Sequence, residues 1–219
     1  MVAAKANMNS HELQIPLTLE SLRNVRSGDA VYLSGPLFTA RPRWYRRVLH
    51  ENRPVPVDLA ALGANVLLHS GPLVRRTADG WEVVAIIPMP DWIADGGEGN
   101  VSQIIERLGL RAVIGKGLLD GSPEVCTKHQ CLHLITLGTW NNFARQIEKV
   151  LDVAWLDLGV GEAMWVFSVR HMGPFIVETD AYGRSLYESS RTERERQLAE
   201  TLKRLQLDDF RYGSPDVPY

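Results

Sequence analysis

A lysine between two glycines is the first feature of this 219-residue sequence that points to chemistry. The segment Ala112-Val113-Ile114-Gly115-Lys116-Gly117 joins a short apolar strand to a turn, where glycines permit backbone conformations that other residues resist. An amine held there can bind a carboxylate or transfer a proton, whereas a lysine in an ordinary turn is only solvated. The flanking glycines favour a functional Lys116. A phosphate-binding loop is excluded, because Leu110 replaces its first glycine and Gly117 its Ser/Thr.

Arg41 is a second candidate cation. It ends the segment Phe38-Thr39-Ala40-Arg41, which follows a predicted strand and precedes a predicted helix. A guanidinium in that position can bind a carboxylate through two parallel hydrogen bonds. On these local grounds Arg41 is equally well an exposed member of a basic cluster with Arg43, Arg46 and Arg47.

Four potential metal ligands, the cysteines and histidines of residues 126–133, are close together in the sequence. Their spacing is not that of a known zinc finger, and no second cluster of ligands accompanies them. We therefore predict no metal site and interpret this segment as the end of a helix that passes into a strand, with zinc binding as the alternative. On that strand Cys131 and His133 share one face.

Acidic residues occupy a glycine-rich loop over Pro88–Gly99. Asp91, Asp95 and Glu98 could act as acid–base groups or metal ligands, although such residues also serve simply to form turns. We take Asp95 as a candidate substrate contact.

The composition bounds the kind of protein that carries these residues. The chain is 45% hydrophobic and 23% charged, with a net charge of -2 and two cysteines. These values predict a globular protein without a disulfide scaffold and without bulk attraction to nucleic acid or to an anionic membrane. No apolar run approaches the roughly 20 residues that span a bilayer, and no secretion signal is evident. We predict a cytoplasmic protein.

Strands and helices alternate irregularly along the chain, which predicts an α/β domain with a mixed sheet. We expect a flexible leader over residues 1–15, one domain over 16–189, and a C-terminal helix and tail over 190–219. The predicted strands are Asp29–Ser34, Ala64–His69, Glu82–Ile87, Arg111–Ile114, Cys131–Leu137, Val150–Leu156, Ala163–Val169 and Phe175–Thr179. The predicted helices are Thr18–Arg26, one beginning near Pro42, Asn100–Leu108, Asn141–Lys149 and Ser190–Leu205.

Several motifs follow one another in an order and spacing that carry a family resemblance over residues 16–187. The sequence resembles the β subunit, or C-terminal domain, of class I fumarases and L-tartrate dehydratases. The motifs are Gly28-Asp29, Val31–Gly35, Thr39-Ala40-Arg41, Pro56-Val57-Asp58-Leu59, Gly71-Pro72, Leu108–Gly117, Ala154–Gly159 and Asp180–Tyr187.

The resemblance implies a swivelling β/β/α domain, like the mobile domain of aconitases and class I fumarases. Such a domain closes over a larger α subunit that holds a 4Fe–4S cluster on three cysteines, so this chain is expected to bind no cofactor itself. The family's Thr-Ala-Arg arginine and Gly-Lys-Gly lysine, which hold substrate carboxylates, correspond to Arg41 and Lys116. With Tyr45, which replaces a family histidine, they form our catalytic set. The substrate-binding candidates are Ser34, Thr39, Asp95, Gly115 and Gly117.

One loop departs from the family pattern. Where the family carries Gly-Pro-Thr-Thr-x-x-Arg-Met, this chain has Trp92-Ile93-Ala94-Asp95-Gly96-Gly97-Glu98. Loss of the threonines and the arginine removes charge-assisted hydrogen bonds, and the new acidic residues repel a carboxylate. We therefore predict that the substrate is neither fumarate nor tartrate.

Two functional hypotheses remain open at this point. In the first, the chain is the β-subunit-like part of a hydro-lyase that acts on a small hydroxy-carboxylate, with a separate iron–sulfur α subunit in a heterotetramer. In the second, it is a repurposed stand-alone domain that catalyses another reaction without a cluster or only binds a ligand or partner. We expect the chain to form a homodimer or a heterotetramer. A colourless protein that is active alone would favour the second.

Overall fold

The computed structural model describes residues 8–89, 98–117, 121–136 and 140–207. These residues form a mixed α/β fold built around an eight-stranded sheet. The strands are β1 (Ser10–Gln14), β2 (Ala30–Ala40), β3 (Val66–Thr77), β4 (Gly80–Pro88), β5 (Ala112–Gly115), β6 (Leu132–Thr136), β7 (Ile147–Ala154) and β8 (Met164–Thr179). The helices are α1 (Leu19–Leu22), α2 (Pro42–Tyr45), α3 (Leu59–Leu62), α4 (Glu98–Leu108), α5 (Ser122–His129), α6 (Trp140–Arg145) and α7 (Leu186–Arg204). A π-helical turn, Arg46–His50, continues α2, and a short 3-10 turn, Leu156–Leu158, follows β7.

The sheet closes on itself like a barrel. Strands β2, β3, β5 and β6 lie side by side and parallel. Strand β8 then runs antiparallel to both β6 and β2, which closes the ring. Outside the ring, β1 pairs with the first half of β2, β4 with the second half of β3, and β7 with β8.

Both faces of the central strands are buried, which explains their continuous apolar sequences. In β3, Leu67 and Leu68 are both buried but belong to different apolar clusters, because successive side chains point to opposite faces. One cluster is built from strand side chains such as Trp165, whereas the other joins the sheet to Trp44 and to Ile104 of α4. Parallel strands covered on both faces have this pattern.

Strands β2 and β3 continue past Ser34 and His69, where the predicted strands end, and run through the glycine–proline pairs that follow. Strand β2 pairs with β1 as far as Ser34 and with β3 from Phe38, so Gly35-Pro36 lies where it changes partner. Gly35 has a φ of 119°, and a β-bulge occurs here. Strand β3 likewise exchanges β5 for β4 around Ser70-Gly71-Pro72. These pairs therefore mark bends inside long strands.

Three further expectations are corrected. The leader expected over residues 1–15 is wrong for Ser10–Gln14, which form β1 against β2. The C-terminal helix begins at Leu186, before the predicted residue 190. The helix predicted over Asn141–Lys149 ends at Arg145, because Ile147 onward pairs with β8. Within the described part of the chain, no helix has the length and apolarity needed to cross a membrane.

Candidate active site

Arg41 directly follows β2 and Lys116 directly follows β5, the two strands on either side of β3. Both residues therefore lie at the same edge of the sheet. Ala40 pairs with His69, and Leu68 pairs with Ile114, so Ala40, His69 and Gly115 lie in one row. The next row contains Arg41 and Lys116, with the backbone of β3 between them. Two strand spacings separate their backbones by roughly 10 Å. We call this place the Arg41–Lys116 edge.

The Arg41 guanidinium is already held on one side by a carboxylate. Its Nε and Nη2 atoms lie 3.2 and 3.1 Å from Oε1 of Glu162. The other oxygen of Glu162 accepts a hydrogen bond from the backbone N–H of Arg43 at 3.1 Å. Both side chains are about one-fifth exposed, Arg41 at 22% and Glu162 at 21%, so the pair faces solvent on one side.

Gly71 allows the turn that contains Glu162 to pack closely against β3. A Cβ at Gly71 would lie only 2.4 Å from the carbonyl oxygen of Gly161 and 3.3 Å from Nη1 of Arg41. Only glycine permits this close approach, because the nearest atom belongs to backbone that cannot move aside cheaply. Gly71 therefore keeps both Arg41 and Glu162 close to the end of the β3–β5 pairing.

Lys116 is exposed and follows the buried strand β5 directly. Its backbone N–H donates to the carbonyl of Met89 at 2.9 Å, and the N–H of Met89 donates to the carbonyl of His69 at 2.8 Å. Gly117 has a φ of 109°, a conformation that favours glycine. The turn after β5 thus presents the Lys116 side chain to solvent.

Tyr45 lies behind the edge and does not reach solvent. It is 1% exposed, and its hydroxyl is hydrogen-bonded to Nε2 of His69, which is 2% exposed. The two rings meet edge to face with their centroids 5.5 Å apart. Since His69 lies in the row just before Arg41 and Lys116, Tyr45 is connected to the edge through His69.

The remaining candidates are spread over the fold. Ser34 lies where β2 pairs with β1, and its Oγ accepts a hydrogen bond from the backbone N–H of His171 at 2.9 Å, so it is not brought to Arg41. Thr39 is fully buried, and its hydroxyl accepts from the N–H of Trp165 at 3.2 Å, which is a contact within the core. Gly115 and Gly117 flank Lys116 at the edge, and Asp95 lies outside the described residues.

The cysteine–histidine segment is part of the core. Cys126 and Cys131 are free thiols, both buried, with their sulfur atoms 4.0 Å apart. The hydrogen bond with Cys131, together with burial, raises the pKa of Cys126 well above its usual value. In the described ranges no three histidine, cysteine, aspartate or glutamate side chains are grouped so that they could hold a metal ion.

A buried carboxylate, Glu178 of β8, joins several elements below the edge. Its oxygens accept hydrogen bonds from Ser122 at 3.0 Å, from Thr179 and Ser185 at 2.5 Å, and from Nδ1 of His133 at 3.0 Å. Burial raises the pKa of this carboxyl, but the hydrogen bonds from His133, Ser185 and Thr179 outweigh it and lower the pKa from 4.5 to about 2. We call these five residues the Glu178 cluster.

Sequence reasoning missed two residues of the edge, Glu162 and His69. Both adjoin segments already recognised as motifs, since His69 precedes Ser70-Gly71-Pro72 and Glu162 follows the Ala154–Gly159 motif. Glu162 is 121 positions from Arg41 in the sequence, so no local pattern predicts their contact. Their adjacency to these motifs was the available signal for both residues.

The sequence with this fold and this edge matches a known protein family. The model of the family described as Fumarase C-terminus matches residues 2–190, and the chain belongs to that family. Among its relatives, the L(+)-tartrate dehydratase subunit beta of Escherichia coli (strain K12) is 36% identical over 176 residues, covering 80% of this chain and 85% of that protein. The protein of the same name from Shigella boydii serotype 4 is 35% identical over 176 residues, with the same coverage of 80% and 85%. A dehydratase is a hydro-lyase, and the similarity supports a hydro-lyase component in general.

Proposed function

We propose that this chain is the β-subunit-like component of a hydro-lyase that adds water to, or removes it from, a small hydroxy-carboxylate. The observation that carries the proposal is the Arg41–Lys116 edge, where two cations follow strands that flank β3. The family membership supports the same activity class. A substrate carboxylate carries the charge that two such cations attract.

Arg41 and Lys116 have different parts in this proposal. A guanidinium presents a planar fork that suits a carboxylate, whereas an ammonium acts as a compact charge with three donors. We assign carboxylate binding to Arg41. Lys116 stabilises the negative charge that develops on the reacting part of the substrate. Tyr45 and His69, both buried, support the edge from behind.

The cluster that the family resemblance implies does not fit this chain. The sequence has two cysteines, one fewer than the three that hold such a cluster. Both are buried beside each other in the core. In the proposal the cluster therefore belongs to an α partner, and this chain closes over that partner as a swivelling domain to contribute Arg41 and Lys116.

The acidic residues of the Pro88–Gly99 loop narrow the class of substrate that we propose. Asp95 and Glu98 occur where the family has threonines and an arginine. Each lost charged hydrogen bond costs about 2 kcal/mol, and the acidic side chains add repulsion. We infer a substrate with one carboxylate at Arg41 and an amine, amide or bulky apolar group in place of the second.

The test is turnover by the chain alone and by the complex with an iron–sulfur α subunit. We expect the complex to hydrate or dehydrate monocarboxylate hydroxy-acids, and to handle fumarate, malate and tartrate with kcat/KM below about 10⁵ M⁻¹s⁻¹. Efficient turnover of those dicarboxylates would contradict the substrate assignment alone. Activity of the colourless chain without a partner would contradict the subunit assignment and favour a stand-alone enzyme.

A further inference from the structure

Glu162 occupies only one side of the Arg41 guanidinium. A guanidinium has five N–H donors; the Nε donor is hydrogen-bonded to Oε1 of Glu162, and Nη2 lies 3.1 Å from the same oxygen in an ion pair. No hydrogen bond joins Nη1 to another residue in the described part of the chain. The end of the fork, formed by Nη1 and the outer Nη2 hydrogens, therefore has no hydrogen-bond partner among the described residues, although Nη1 lies close to Gly71.

We propose that Glu162 is a positioning residue that orients Arg41 so that the end of its guanidinium faces the substrate carboxylate. This inference rests on the proposed function of Arg41 and adds to it the residue that fixes the geometry. A free arginine side chain has several rotatable bonds, and holding it in one orientation before binding lowers the entropy cost of binding. A carboxylate on the Nε side restricts the plane of the guanidinium without covering its end.

The turn that carries Glu162 is itself anchored, as a positioning role requires. The carbonyl of Gly161 packs against Gly71 of β3. Arg47 forms two hydrogen bonds to Asp157 at 3.1 and 2.8 Å. Arg43 donates from Nη1 to the carbonyl of Leu158 at 3.2 Å. Glu162 is therefore held from both the sheet and the helical segment that follows Arg41.

Competition between Glu162 and the substrate is the alternative that the geometry disfavours. A competing carboxylate would cover the end of the fork with both oxygens. Here Oε1 lies beside Nε and Nη2, and Oε2 is engaged by the N–H of Arg43. The two carboxylates can therefore bind different edges of Arg41 at the same time.

The first test measures how firmly Glu162 holds the Nε hydrogen of Arg41, and it needs no substrate. In the ¹⁵N-labelled chain, hydrogen exchange at Nε of Arg41 is compared for the native protein, Glu162→Ala and Glu162→Gln. We expect exchange to accelerate about tenfold in Glu162→Ala, with Glu162→Gln in between, because the amide keeps an acceptor but loses the charge. The matched control is Glu148→Ala, which removes the exposed partner of Arg170 and should leave Arg41 unchanged.

The second test uses the complex with the α subunit and the hydroxy-acid that it turns over. For Glu162→Ala we expect KM to rise about tenfold while kcat changes less than about threefold, because ground-state binding of the carboxylate is weakened. Unchanged Nε exchange, or a KM that falls, would overturn the positioning role. If no hydroxy-acid is turned over, the proposed function fails, and the exchange measurement still decides whether Glu162 holds Arg41 through Nε.

Discussion

Glu178 and Glu162 are two carboxylates that each bind neighbouring polar side chains. They differ in how much hydrogen-bonding capacity remains unused around them. Glu178 is 2% exposed, and its oxygens accept hydrogen bonds from four side chains. Glu162 binds Arg41 at the surface and leaves part of the guanidinium without a partner among the described residues. A buried group must be satisfied within the protein, whereas a group at a binding edge must keep some capacity for a ligand.

The location of the two clusters agrees with this difference. The Glu178 cluster connects β8 with β6 and with the beginnings of α5 and α7, so it ties separate elements together. The Arg41–Lys116 edge lies where parallel strands end and connecting segments begin, which is where α/β folds commonly place ligands. We therefore expect Glu178 to contribute mainly to stability, and Arg41 and Lys116 mainly to binding.

Replacement of Glu178 should have the largest effect on stability. Glu178→Ala leaves His133, Ser122 and Ser185 without their buried acceptor, and we expect a loss of about 3 kcal/mol or more in the free energy of unfolding, measured with urea. Glu193→Ala, which removes an exposed carboxylate of α7, should change stability by less than about 0.5 kcal/mol. A Glu178→Ala loss no larger than that of the control would show that the buried cluster does not stabilise the fold.

Replacement of Lys116 should lower activity and leave the stability of the fold nearly unchanged. Lys116→Ala removes an exposed side chain, so unfolding should change little, while kcat of the complex falls about 10²–10³-fold through loss of a preorganised charge. Lys128→Ala, which removes another exposed lysine that pairs with Glu106, should keep full activity. Equal activity of the Lys116 and Lys128 variants would remove Lys116 from the site.

Arg41 and Lys116 were candidates from the sequence, whereas Glu162, which binds Arg41, and His69, which lies between them, were not. Lys116 stands between two glycines after an apolar strand, and this local context indicates a site. Arg41 was selected through the family's Thr-Ala-Arg motif, because its local context alone did not distinguish it from its basic neighbours. Glu162 and His69 reach the edge through packing across the sheet, which no local pattern encodes. The Glu178 cluster was missed for the same reason, because His133 was considered only beside its neighbours in the sequence.

The predicted ends of strands and helices were wrong where pairing between strands outweighed the local sequence pattern. Gly35-Pro36 and Ser70-Gly71-Pro72 have the composition of turns, yet the strands continue through them because each strand gains a new partner there. Ile147–Lys149 entered a strand in place of a helix because β8 offered an unpaired edge. The strands that were predicted well, such as Ala112–Gly115, are those whose apolar run and flanking glycines agree with their burial.

The smallest predicted effect is the partial loss, between pH 6 and pH 3, of the stability that the ionised Glu178 contributes. Its pKa is lowered from 4.5 to about 2 in the folded protein, so the folded state binds this proton less readily than the unfolded state. The contribution is therefore fully present above the unfolded pKa and is lost as the pH falls from about 4.5 to about 2. A shift of this size corresponds to a free energy on the order of 3 kcal/mol. Burial raises the pKa of Asp29, but hydrogen bonds with His11, Arg26 and Asn9 outweigh it and lower the pKa, so the stability that Asp29 contributes is also lost as the pH falls.

The difference between the native protein and Glu178→Gln, measured by urea unfolding between pH 6 and pH 3, isolates the Glu178 part, and it should shrink steadily as the pH falls. A difference that is independent of pH would mean that Glu178 is not held as the carboxylate, and that the contrast with Glu162 does not depend on charge.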